Sequence, residues 1–184
     1  MNSVLAISEE NWKEISAVLT EKKLKKGAFL HREGDQCDFI AFIAKGALRA
    51  YYTDHKSVET NLLLNSASEF ITDYESFLTH QPGNLSIQAI EDANVMLLNR
   101  KPLEQLYDNS FYWNKFGRLM AERIYLKSKK RAVELLLLSP EQRYLMLLEE
   151  HPDFFQRYAL RDIASYLGIT SQSLSRIRAR LTKS

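Results

Sequence analysis

One cysteine, Cys37, stands among 184 residues, so no disulfide can close within a chain and an iron–sulfur cluster lacks its about four thiolate ligands. Glycine (six) and proline (four) are sparse, so each should mark a turn or a helix end. Apolar runs such as Leu135 to Leu138 fall far short of the about 20 residues a membrane helix needs. No apolar stretch follows a basic start, as a secretory signal would require, and a cytoplasmic protein is expected. Gly-rich phosphate loops, nucleophile elbows and His-x-x-Glu metal motifs are also missing. The adjacent pairs Glu9-Glu10 and Glu149-Glu150 fit solvated faces, so no enzyme is expected. His31, His55, His80 and His151 show no metal-ligand spacing, and neither a metal nor a cofactor is expected.

Acids are missing from one more place, everything after Asp162. The whole chain carries +2, which is unremarkable, but the charge is not evenly spread. Residues 1–110 hold 11 Lys/Arg against 16 Asp/Glu, net −5. Residues 111–138 hold 7 against 2, net +5, and 139–184 hold 7 against 5, net +2. An acidic front and a basic back point to two tasks, with a polyanionic partner at the back.

The front reads as β-rich after an opening helix around Glu9 to Leu19. Phe39 to Ile43 and Leu48 to Tyr52 flank Lys45-Gly46, which reads as a hairpin. Val58 to Leu64, Ile87 to Ile90 and Val95 to Leu98 are further short runs of β-forming residues. Turns are expected at Gly27, Glu33-Gly34-Asp35, Asn65-Ser66, Pro82-Gly83-Asn84 and Glu91-Asp92. Short strands at near-regular spacing indicate a small barrel or roll.

Residues 111–138 lack proline, with Gly117 the weak point of a helix about 40 Å long. Tyr112, Phe116, Leu119, Arg123, Leu126, Lys130, Val133 and Leu137 recur at heptad spacing, the two cations interrupting the seam. Such a helix is expected to pack partly on the roll and partly on a second copy of itself. Ser139-Pro140 ends it, and Glu141 to Glu149 follows with Tyr144, Leu145, Leu147 and Leu148 expected to be buried.

The segment 160–183 is the most specific. Leu160, Ile163, Ala164 and Leu167 fall at i, i+3, i+4 and i+7, and Gly168 can take the left-handed angles that end a helix. Ile169 can plug the corner, and Thr170 is a good N-cap for a second helix whose stripe is Leu174, Ile177 and Leu181. Its other face carries Gln172, Ser175, Arg176 and Ala179. Arg reads guanine edges, Gln reads adenine, and Ser serves a base or a phosphate. Arg178, Arg180 and Lys183 suit phosphates. The pattern is that of a DNA-binding helix-turn-helix; an ordinary core hairpin would carry carboxylates among those cations.

The order of roll, long helix and helix-turn-helix resembles the Crp/Fnr family of bacterial transcription regulators over nearly the whole chain. The resemblance rests on Lys26-Gly27, Arg32-Glu33-Gly34-Asp35 and Lys45-Gly46-Ala47-Leu48 at the front. At the back it rests on Ile163-Ala164, Leu167-Gly168-Ile169-Thr170 and Leu174-Ser175-Arg176-Ile177. It implies an α+β fold with three parts. These are a double-stranded β-helix (jelly-roll or β-roll) sensor domain over 1–110, a dimerisation helix over 111–138 and a helix-turn-helix domain of winged type over 139–184. It also implies Thr170, Ser171, Gln172, Ser175, Arg176, Arg178 and Arg180 as DNA-binding residues. Double-stranded DNA, a second copy of the chain and RNA polymerase are the implied partners, with a small-molecule effector or none.

Cyclic-nucleotide binders of that family open a short helix with Gly-Glu and place Arg-Ser-Ala before the next strand. Here Ser68-Glu69 and Gly83-Asn84-Leu85 stand near those places, and Phe111 to Lys127 holds no Ser or Thr to meet a purine. A cyclic phosphate would lack its bidentate cation, so cyclic AMP binding is not expected. Any effector pocket is placed near Glu69, Asn84 and Ser86, with Thr79 close by. Haem would need an axial ligand from His31, His55, His80 or Cys37, which no pattern arranges. The rival function is a ligand-sensing module whose helical tail contacts protein and not DNA.

Overall fold

A computed structural model describes residues 7–182. Among these described residues eight strands form two four-stranded sheets, β1(Leu19–Leu24), β8(Ala93–Asn99), β3(Phe39–Lys45) and β6(Phe70–Ile71) in one, and β2(Phe29–His31), β7(Leu85–Ala89), β4(Ala47–Thr53) and β5(Glu59–Ser66) in the other. Every pairing between them is antiparallel, and the orders β1-β8-β3-β6 and β2-β7-β4-β5 are those of a jelly roll. Inward residues alternate along each strand: Ala41 and Ile43, Leu48 and Ala50, Ile87 and Ala89, Ala93 and Val95. Burying a Val, Leu or Ile side chain contributes about 1.5–3 kcal/mol and an alanine methyl less, and this shared core holds the sheets face to face.

The expected hairpin at Lys45-Gly46 is instead a corner. β3 pairs with β8 and β6, whereas β4 pairs with β5 and β7, so Gly46 carries the chain from one sheet to the other. Its φ is +92°, and a Cβ would sit 2.7 Å from the Ala93 Cα, so only glycine fits. The hairpin lies one strand later, between β4 and β5, where Asp54 Oδ1 accepts from the Lys56 and Val58 N–H groups.

Helix α1(Glu9–Ser16) ends before Leu19, which already belongs to β1. Two short strands, β2 and β6, and the helices α2(Tyr74–Thr79) and α3(Arg100–Asn109) complete the front half. One extended residue, Ser110, separates α3 from α4(Phe111–Leu137). Gly117 is where α3 packs on α4, because a Cβ there would overlap the Tyr107 ring.

Only Trp113 is fully buried along α4, its Nε1 donating to Glu14 Oε2 at 2.7 Å. Tyr112 and Phe116 are half-buried with their rings edge-on to that of Trp113, so this end of the heptad stripe turns inward and not outward. The uncovered stripe begins beyond them: Leu126 and Leu137 are 62% and 77% exposed, with Val133 between and Leu136 alongside.

The remaining helices are α5(Pro140–Glu150), α6(Phe154–Arg157), α7(Leu160–Tyr166) and α8(Ser171–Leu181). Ser139 caps α5 in a full capping box with Gln142. Tyr144 and Leu147 are buried, but Leu145 and Leu148 are exposed, because α5 shows the body only one face. Leu160 is likewise exposed at the start of α7. No strand lies within 139–182, so the wing of a winged domain is not among the described residues; α6 and its flanking turns occupy the connection between α5 and α7. Among the described residues no helix is long and apolar enough to cross a membrane.

Candidate nucleic-acid interface

The turn between α7 and α8 is built locally. Gly168 takes φ +67°, and the N–H groups of Gly168 and Ile169 donate to the carbonyls of Ser165 and Ala164, closing α7. Thr170 Oγ1 accepts the Ser173 N–H at 3.2 Å and caps α8. Ile163, Ala164 and Leu167 of the first helix pack on Leu174 and Ile177 of the second. The same packing turns Ser171, Gln172, Ser175, Arg176, Arg178 and Arg180 outward, all exposed.

Within that set the roles differ. The Thr170 hydroxyl is committed to Ser173, so this residue holds the helix start in place. Arg176 lies back along the helix, Nε donating to the Gln172 carbonyl at 3.5 Å. Arg180 reaches Glu141 Oε2 at 2.7 Å, which ties the end of α8 to α5. Gln172, Ser175 and Arg176 share one outward face, which is free of carboxylates. Lys183 lies outside the described residues.

Sequence reasoning missed the groups that hold this unit. Arg131 of α4 lies over the Tyr166 ring, 3.9 Å from its centroid, and donates to the Tyr166 carbonyl. Arg143 of α5 donates to the carbonyls of Leu167 and Leu138. Both place positive charge at the C-terminal end of α7, where carbonyls lack helical partners. The Tyr158 hydroxyl lies 3.0 and 2.9 Å from the carbonyls of Leu48 and Asn65 on the roll, and burial pushes its pKa far up. No spacing in the sequence announces these contacts.

The residues expected around an effector do not converge. Glu69 accepts from the Ser66 N–H at 2.8 Å and faces Lys127 of α4. Ser86 Oγ accepts from the Glu33 N–H, Asn84 is exposed, and Thr79 donates to the Glu75 carbonyl of its own helix. The short helix opens four residues beyond Glu69: Asp73 is the N-cap of α2, Oδ1 accepting the Ser76 N–H. The acid at the start of the short helix is therefore Asp73. Its Oδ2 lies 3.6 Å from His31 Nε2, both side chains buried, and that distance is too long for a hydrogen bond. Burial lowers the His31 pKa, partly offset by Asp73 and Asp35. Backbone donors here are spent as well: the Gly34 N–H goes to the Gly83 carbonyl and the Gly83 N–H to the Asp35 carbonyl.

Residues 21–110 match the family described as Cyclic nucleotide-binding domain. Among solved structures the chain is similar to FixK2 from Bradyrhizobium japonicum, at 19% identity and TM-score 0.77 over 90% of this chain and 85% of that one. It is also similar to the c-di-GMP responsive global regulator CLP of Xanthomonas campestris, at 16% identity and TM-score 0.73 over 96% and 92%. A third likeness is a transcriptional regulator of the Crp/Fnr family from Eubacterium rectale, at 19% identity and TM-score 0.70 over 95% and 83%. The chain has the Crp/Fnr fold. No curated protein sequence matches it. Within the Crp/Fnr fold α8 falls in the C-terminal helical half, and the Asp73–His31 pair falls in the roll, inside the segment that matches the Cyclic nucleotide-binding domain family.

Proposed function

We infer that this chain is a sequence-specific DNA-binding transcription regulator of Crp/Fnr type. The observation that carries the reading is the outer face of α8: exposed Gln172, Ser175 and Arg176, flanked by Arg178 and Arg180, on a helix capped by Thr170. In the major groove Arg176 pairs with a guanine edge, Gln172 with adenine, and the flanking arginines with phosphates. Residues 1–110 serve as a sensor-like roll, 111–138 as the dimerisation helix and 139–184 as the DNA-binding part. The uncovered Leu126, Val133 and Leu137 stripe supports a homodimer, which reads two half-sites about 34 Å apart. The site is cytoplasmic and RNA polymerase is the downstream partner in this reading.

The roll acts without cyclic AMP. Asn84 supplies no charge near the phosphate position, and the Gly34 and Gly83 N–H groups already have acceptors. Burying a charged phosphate without a cation costs several kcal/mol. The decisive experiment is duplex binding by fluorescence anisotropy with a selected operator, repeated across salt. Affinity falling steeply with salt supports the reading; no duplex binding at low salt, with protein captured by α8 instead, supports the protein-contact alternative.

A further inference from the structure

β5 is the outermost strand of its sheet, and α7 lies along it. The pairing of β4 with β5 slips between Ala50 and Tyr51, which turn from Leu63 to Asn61 and leave Leu62 unpaired. Beside that bulge the Asn61 N–H donates to Ser165 Oγ at 2.9 Å, and Asn61 Nδ2 donates to the Asp162 carbonyl at 3.1 Å. A strand residue thus bonds to the first helix of the helix-turn-helix.

Arg49 is the centre of this junction. It lies on the outer face of β4, between the inward-facing Leu48 and Ala50, and its side chain is only 9% exposed. Its guanidinium reaches Glu59 at 2.6 Å, Asp162 at 3.2 Å and Gln88 at 2.8 Å, and stacks on the Tyr51 ring. Asp162 is the sole acid in residues 160–184, and it is buried on this arginine. One cation therefore bridges two carboxylates, one from the roll and one from α7.

We propose that Arg49 is a positioning residue: it fixes α8 relative to the roll, and through the dimer it sets the spacing between half-sites. This rests on the DNA-binding reading above. Without Arg49, Glu59 and Asp162 face each other half-desolvated with no cation, so the junction turns from attractive to repulsive. Asp162→Asn is milder, because Arg49 keeps Glu59 and the Asn61 amide keeps the Asp162 carbonyl.

The test uses the full-length protein in two arms. In the first, operators with spacers lengthened or shortened by single base pairs are bound by wild type, Arg49→Gln, Asp162→Asn and the Arg49→Gln/Asp162→Asn double variant. Arg49→Gln should lower discrimination against the wrong spacer by about tenfold, with half-site base preference unchanged. The double variant should recover part of it, since the repulsion is gone. In the second arm, hydrogen exchange of β5 amides should speed in Arg49→Gln while the β8 core stays protected. A folded Arg49→Gln protein with wild-type spacer discrimination and wild-type β5 exchange overturns the proposal. If Arg49→Gln does not fold, Ser165→Ala takes its place, with a smaller shift in the same direction expected and no shift counting against it. Failure of the wild type to bind any duplex would sink the DNA-binding reading, while β5 exchange would still judge the junction.

Discussion

Gly83 and Asp73 are packed so closely that no side chain fits between them. A Cβ on Gly83 would overlap Asp73 Oδ2, lie 2.9 Å from Asp73 Cγ and 3.1 Å from Ser76 Cβ. Asp73 cannot swing aside, because its other oxygen caps α2 and the side chain is buried. Gly83→Ala is therefore expected to cost about 1–3 kcal/mol through overpacking. Urea unfolding measures it, and Asp73→Ala should absorb much of the effect in a double-mutant cycle. Equal stability of Gly83→Ala and wild type would contradict the packing described.

His31 gives the protein an acid-side weakness. Its folded pKa lies below the ordinary 6.5, mainly through burial. The unfolded chain therefore binds the proton first, and stability is complete above about pH 6.5 and falls as pH drops toward the folded value. Unfolding midpoints measured from pH 7 to pH 5 should decline, and His31→Gln should flatten that decline. A variant with the wild-type slope would show that other groups set it.

Arg176→Ala should weaken specific DNA binding by about 1–3 kcal/mol and relax preference at one base position. Selection from a random duplex library reads both. Full affinity with unchanged base preference would remove Arg176 from the reading face.

The dimer is tested on its uncovered stripe. Leu126→Glu combined with Val133→Glu places like charges on both copies at exposed positions, so the fold should stand and association should fail. Light scattering and circular dichroism report the two separately. A wild type that is monomeric, alone and on DNA, would defeat the dimer outright.

Calorimetric titration with cyclic AMP and cyclic GMP should show no binding. Tight binding lost on changing residues 69–86 would mean that a cation from elsewhere reaches the phosphate.

Local chemistry made part of this molecule readable from sequence. Gly168 and Thr170 mark the end of one helix and the start of the next by their own conformational preferences, so the helix-turn-helix stood out. Runs of β-forming residues did the same for β4 and β8. The corner at Gly46 was misread because a glycine turn looks alike whether the chain folds back or crosses to a facing sheet; partners distant in sequence decide which. β1 escaped notice because Thr20 to Lys23 faces solvent and carries charge. Asp73 was missed because the short helix starts four residues later than the acid at Glu69 suggested. Arg49 and Asp162 are 113 residues apart, and no periodicity links them.

The cover that α7 gives β5 has a consequence for solubility. An outermost strand left bare offers a row of unpaired N–H and C=O groups to any other chain, and it is a template for aggregation. In this protein the element that shields it is the first helix of the helix-turn-helix. Swinging that unit away from the roll would uncover Asn61 and the strand edge beside it for edge-to-edge pairing. Colloidal stability and the position of α8 are thus tied to the same contact, and variants that loosen one should precipitate more readily on storage.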